Sequence, residues 1–246
     1  MNLDATRTVR EFATEIPNAT RTFEKLGIDY CCGGGKSLRD ACAQAHLALD
    51  DVLRALQRGG SFTQADQTVS PNLAESSLAS LIEHIVAKHH AYVKQEIPRI
   101  QQLLHKVVAV HGQNHAELGK IEQVFQALSS ELTSHMLKEE QVLFPYIIAL
   151  EEATGTSGRP PKPVFGTVSN PIHMMELEHD STGRALTEIR TLSGGHTAPE
   201  GACFSYKTLY AAFKEFEADL HQHVHLENNI LFPRAIELER HAAKGL

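Results

Sequence analysis

Apolar positions along this chain recur at helical spacing and nowhere alternate over a useful strand length, so the pattern predicts an all-α protein. Four long stretches, at about 74–108, 116–150, 171–192 and 205–238, carry most of that pattern. Residues 111–114, 154–163 and 193–201 separate them, and all three segments are rich in turn formers. Asn170 before Pro171 is expected to cap and open the third helix. Four helices joined by such turns predict an antiparallel four-helix bundle. Upstream, shorter patterns at 7–15, 17–26, 37–47 and 50–57 predict a small helical module, with Pro17 opening its second helix and Gly27 ending it. Residues 59–72 mix Gly, Ser, Thr, Gln and Pro without periodicity and read as a linker. The predicted organisation is a helical domain over 1–58, a linker over 59–72 and a bundle over 73–246.

Composition narrows the function classes. The 246 residues are 42% hydrophobic and 22% charged, which suits a soluble globular chain long enough for two modest cores. A net charge of -7, with no block rich in Lys or Arg, argues against nucleic acid as the main partner. The first residues hold no apolar leader core, and no apolar run approaches the roughly 18 residues of a membrane span, so a cytoplasmic protein without membrane contact is expected. Four cysteines, two of them adjacent, favour thiol or metal chemistry over a disulfide framework.

The strongest motif is a repeat. H-x-x-x-E-x-x-x-L-F-P begins at His135 and again at His223. On a helix, positions four apart share a face, so His135/Glu139 and His223/Glu227 each present an imidazole and a carboxylate to one point. Pro145 and Pro233, closing the two copies, are expected to kink or end their helices. In antiparallel neighbours, residues equally far from a turn lie at one depth. The midpoints between His90, His135, His179 and His223 fall near Gly112, at Ser157 and at Gly201, each inside a predicted turn. Four histidines can thus meet at one level. On the first helix His90 has Val86, Val93 and Ile97 on its flank, but His89, between Ile85 and Tyr92, serves as well by spacing, and His84 lies within two turns. His179 shares a face with Met175 and Leu186.

In the N-terminal module the centre of interest is the run from Gly27 to Ser37, which holds Cys31, Cys32 and three consecutive glycines. Those glycines permit close backbone approach, and a helix starting at Ser37 is expected to lower a nearby thiol pKa, making Cys31 and Cys32 candidate reactive thiols. Cys42 and His46, four apart, are further possible metal ligands. A phosphate loop is excluded, because Tyr30 stands where its first glycine is required.

Taken with D-Y-C-C-G-G in front and E-L-E-H-D between the two repeats, the chain resembles, over essentially its full length, the repair of iron centres family of di-iron proteins (YtfE/ScdA type), whose C-terminal part is hemerythrin-like. The resemblance implies four histidine and two bridging glutamate ligands, mapping onto His90, His135, His179, His223, Glu139 and Glu227. It selects the second histidine of the 89–90 pair and leaves His84, His89, His221 and His225 without a role. It implies two non-haem iron ions, carboxylate-bridged with an oxo or hydroxo bridge, and iron-sulfur client proteins as partners in repair after nitrosative or oxidative damage. Nitric oxide or dioxygen binding, or nitric oxide reduction, at the same centre is the alternative, and turnover and a homodimer are left open. Such a donor set suits octahedral iron better than a closed sulfur-rich zinc site. Oxygen-carrying hemerythrins have a histidine four residues after the one matching His179. Gly183 stands there instead, which predicts a more accessible, more labile centre. Glu131, one turn before His135, and Glu178, beside His179, are expected to orient a ligand imidazole or handle protons.

Overall fold

The computed structural model describes residues 4–16, 18–59, 73, 75–155 and 162–244. These residues form helices and connections only, apart from one isolated antiparallel bridge between Thr8 and Ser37. Pro17 and nearly all of the linker expected over 59–72 lie outside the described residues.

The N-terminal module has four helices: α1 (Val9–Glu15), α2 (Ala19–Leu26), α3 (Leu38–Gln44) and α4 (Leu49–Gly59). Thr8 and Glu11 close a reciprocal capping box at the start of α1. Gly27, at φ +68, ends α2 as expected, its N–H reaching back to Phe23 and Glu24 carbonyls. Ser37 caps α3 by accepting from the Asp40 N–H. That helix stops earlier than its apolar spacing suggests, because His46 turns into the left-handed region at φ +56. Phe12, Phe23, Tyr30, Leu38 and Leu56 form the module's own core.

Four rods follow. Rod α5 spans 78–111, α6 spans 117–155, α7 is Ser169–Leu192 and α8 spans 204–244. Neighbours run antiparallel, as pairs across them show. His105 and His90 of α5 meet Glu122 and Glu140 of α6, and Ser181 and His179 of α7 meet Glu131 and His135 of α6. Arg190 and His179 of α7 likewise meet Glu217 and Asn228 of α8. The third rod begins at Ser169, so Asn170 sits within its first turn rather than before it, and its amide donates to the Phe165 carbonyl.

Pro145 and Pro233 do not end their helices. Each is preceded by a wide π-helical segment, Glu139–Leu143 in α6 and Glu227–Leu231 in α8, after which Phe144–Gly155 and Phe232–Lys244 continue the rods. A proline lacks an N–H and crowds the carbonyl four residues back. The wide turn accommodates both defects. A third π segment, Ile85–His90, interrupts α5 at the same level.

Two apolar cores fill the rods. One contains Val93, Ile100, Leu104, Phe125, Phe213 and Phe216; the other contains Leu81, Ile85, Phe144, Ile147, Ile172 and Leu231. Between them lies a layer of buried polar side chains. Among the described residues no helix is long and apolar enough to cross a membrane.

Candidate metal centre

That polar layer contains His90, His135, Glu139, His179, His223 and Glu227, each at most 3% exposed. They form two groups of four, whose candidate ligand atoms lie within 4.8 Å of one another: His90, His223, Glu139 and Glu227, and His135, His179, Glu139 and Glu227. Both glutamates belong to both groups. Each opens a π segment one turn after the histidine of its own rod, so the sequence repeat and the wide turn coincide.

The imidazoles face inward in pairs. His90 and His223 bring their Nε2 atoms to 3.1 Å, and His135 and His179 bring theirs to 3.0 Å. Three of the four outer nitrogens have acceptors: Nδ1 of His90 meets Glu140 at 2.7 Å, that of His135 meets Glu178 at 2.8 Å, and that of His179 meets Asn228 at 2.8 Å. Donation from Nδ1 fixes the tautomer and aims an Nε2 lone pair at the centre. Both oxygens of Glu139 and one of Glu227 are buried and make no well-aligned hydrogen bond among the described residues, although His135 Nε2 lies 3.3 Å from Glu139 and His179 Nε2 3.1 Å from Glu227.

Such a cluster demands positive charge. Burial works against ionisation, yet His135 and His90 hold Glu139 below the ordinary carboxylate range, and His223, His179 and His90 hold Glu227 well below it. Conversely, burial disfavours the imidazolium form, but Glu139 and Glu227 carry His90 up to about 10, and Glu139 carries His135 up to about 9. Burial lowers His223. A proton can bridge facing nitrogens about 3 Å apart, but one proton per pair leaves the two shared carboxylates without a common partner. Cations are a good match, since two donors each about 2.1 Å from one ion lie about 3–4 Å apart. The donor set, its charge and its poorly satisfied oxygens all fit bound metal.

The remaining candidates separate. His89 turns away from the cluster to Asp219, at 2.9 Å, and stacks on His223 with ring centroids 5.7 Å apart. His84 lies edge-on to His89. His225 accepts from Asn229, and His221 faces Tyr30 and Glu217. Glu178 is brought to His135 and also pairs with Lys138, whereas Glu131 is exposed and accepts from Ser181. Two partners, Glu140 and Asn228, were not among the candidates. Each directly follows a central glutamate, and that shared register in the two repeats was the available signal.

The N-terminal module docks against this layer. Asn229 donates to the Tyr30 carbonyl at 2.8 Å and accepts from the Arg10 guanidinium at 2.7 Å. Gly34 is required beneath it, because a Cβ there would lie 2.8 Å from the Asn229 side-chain oxygen. The docking places Cys32 against α7, its Sγ 3.6 Å from the His179 carbonyl and 3.7 Å from where a Gly183 Cβ would be. A thiol therefore borders the space beside Gly183, which stays partly exposed. The expectation of a lowered Cys31 pKa fails. Cys32 beside it, burial and Asp29 push that thiol well above its usual range, and Cys31 is only 6% exposed. Cys31 and Cys32 form a potential metal-holding group with Asp29, but Cys42 and His46 do not join it. Cys42 is buried in the module core.

Comparison with known proteins agrees with this architecture. Residues 81–235 match the hemerythrin HHE cation binding domain family, and residues 5–59 match a domain of unknown function, DUF542. A probable iron-sulfur cluster repair protein of Haemophilus influenzae is 35% identical, over 94% of this chain and 97% of that protein. The iron-sulfur cluster repair proteins YtfE of Yersinia pestis (strain Pestoides F) and Yersinia pseudotuberculosis (strain IP 31758) are each 36% identical, over 92% of this chain and 95% of theirs. The chain belongs to the hemerythrin HHE cation-binding family and, along nearly its whole length, to the family of iron-sulfur cluster repair proteins.

Proposed function

We propose that this protein holds two iron ions in its polar layer and uses them to restore iron-sulfur clusters damaged by nitrosative or oxidative stress, by donating iron to client proteins in the cytoplasm. His90 and His223 would hold one ion and His135 and His179 the other, with Glu139 and Glu227 available to both. The observation that carries this reading is the sharing of both buried glutamates by two otherwise separate four-donor groups. A carboxylate-bridged iron pair supplies redox-active, exchangeable metal. The chain's own contribution is orientation: Glu140, Glu178 and Asn228 accept from the outer imidazole nitrogens and keep the inner ones turned to the metals. Lys94 and Lys138 neutralise the two outer carboxylates. The chain divides functionally into a module over 1–58 that meets the client, a linker over 59–72 and a metal-holding bundle over 73–246.

Mössbauer spectroscopy and metal analysis on the anaerobically reconstituted protein test the centre, with two coupled irons per chain expected. Recovery of activity by a nitric-oxide-damaged cluster enzyme, with loss of iron from this protein, tests the role. A protein that holds one ion or none, or recovery without iron transfer, contradicts the proposal.

A further inference from the structure

Outside the bundle's polar layer, one other group of side chains among the described residues gathers metal-binding atoms, and it borders an open cleft. A cleft of about 910 Å³ lies between the N-terminal module and rods α7 and α8, and Asp29, Cys31, Cys32 and Gly183 line it. Ligand atoms of Asp29, Cys31 and Cys32 lie within 4.8 Å of one another. The Asp29 carboxylate is already fixed in place, accepting from the backbone N–H of Cys31 at 3.1 Å and of Cys32 at 3.0 Å. The two sulfurs are 4.0 Å apart, and Cys31 Sγ is 3.3 Å from the same carboxylate oxygen. Gly33 packs on Asp29 so closely that a Cβ there would meet its backbone carbonyl oxygen at 3.0 Å.

This group is joined to the bundle's histidines through one side chain. Asn228 accepts from Nδ1 of His179 at 2.8 Å and donates to the Cys31 carbonyl at 3.5 Å. The Cys32 sulfur rests on the His179 backbone. A cation held by the two thiolates would therefore sit on a loop that is hydrogen-bonded to a side chain orienting the inner site.

We propose that Asp29, Cys31 and Cys32 form a third, transfer site that binds one ferrous ion on its way between the cleft and the bundle. The proposal rests on reading the bundle as an iron store. Binding breaks two S–H bonds, forms two sulfur–metal bonds and a carboxylate–metal bond, and releases two protons to water; no electrons move. A bound cation favours the thiolates outright, which overcomes the burial and neighbouring charge that otherwise keep Cys31 protonated. Two thiolates and one carboxylate leave a coordination position toward the cleft for a client's own ligand, so the ion is held without being enclosed.

The test uses the full chain with its bundle irons in place, titrated anaerobically with cobalt(II). One further equivalent should bind and give the near-ultraviolet absorption of thiolate-to-cobalt charge transfer. Cys32→Ser should abolish that absorption, Asp29→Asn should weaken binding by at least about tenfold, and both should keep the bundle iron content and the helical circular dichroism of the parent. Cys203→Ser controls for the exposed thiol and should keep the absorption. Absence of the absorption in the parent protein, or its survival when both Cys31 and Cys32 are serine, overturns the third site. A parent that shows the absorption but holds fewer than two irons overturns the di-iron reading instead, so the two failures are distinct.

Discussion

Glu140 and Asn228 decide which nitrogen His90 and His179 turn inward, although neither touches the centre with its own predicted role. Replacing either by alanine should lower iron affinity about 10–100-fold while leaving the metal content at saturation equal to the parent's, as read by competition with a coloured chelator. The pairs His135/Glu139 and His223/Glu227 were legible beforehand because helical period turns sequence spacing into a shared face, whereas the full set of six came from the family resemblance. Their outer partners were not, since an acceptor one residue after a central glutamate points to a different rod and only packing shows which. His89 illustrates the limit: spacing left it level with His90, and the contact to Asp219, 130 positions away, separates them. Away from the metals, burial works against the charge of Glu217, but His196, Arg190 and His221 hold its pKa below the ordinary 4.5. A depressed carboxylate stabilises the fold fully above its unfolded value and loses that contribution as pH falls through the folded one. Glu217→Gln should therefore cost about 1–3 kcal/mol near neutral pH, and the gap to the parent should close in denaturation curves taken progressively below pH 4.5.

At the level of elements, apolar periodicity placed the eight helices of the described residues to within six residues at either end, since each has one face committed to a core. The π segments escaped it. An extra residue in one turn leaves the pattern on either side intact and only shifts their relative phase, which a window of ten to twenty residues averages away. Pro145 and Pro233 were the visible trace, but a proline alone reads equally well as a stop. The glycine run shows the opposite case, where flexibility was legible and its object was not: Gly34 exists for Asn229, nearly two hundred positions downstream. Gly34→Ala would place a Cβ 2.8 Å from the Asn229 side-chain oxygen and 2.9 Å from the Tyr30 carbonyl. A loss of about 1–3 kcal/mol is expected, together with faster alkylation of Cys31 and Cys32 by iodoacetamide as the module loosens from the bundle. Equal labelling rates in the two proteins would mean that this contact does not hold the module down.

For the whole molecule, the metals and the fold are thermodynamically linked. Two enclosed carboxylates and four inward imidazoles are assembled by four rods, and an unfolded chain cannot reproduce that arrangement. Ligand at about a hundred times its dissociation constant adds about 2.7 kcal/mol, which for a chain of this size raises the melting temperature by about 5–10 °C. Thermal scans of iron-loaded and chelator-stripped protein should differ by that amount, and coincident curves would show that the ions contribute nothing to the fold. The meeting of the two parts of the chain was the least legible feature of all. Arg10 and Asn229 bond across 219 positions, and no local pattern encodes a pair so distant.

The wide turns carry one more consequence. Each adds a step to its rod, so the residues beyond it are rotated by about 100° relative to an uninterrupted helix. Leu143, Phe144 and Ile147 join the core of Leu81, Ile85 and Ile172 by virtue of the added step in α6, as Leu231 and Phe232 do in α8. Losing a single residue between 139 and 143 would swing that apolar stripe toward water while leaving the upper half of the rod undisturbed. That core is thus keyed to the same irregularity that seats Glu139 and Glu227, and a shortened chain would forfeit the two together.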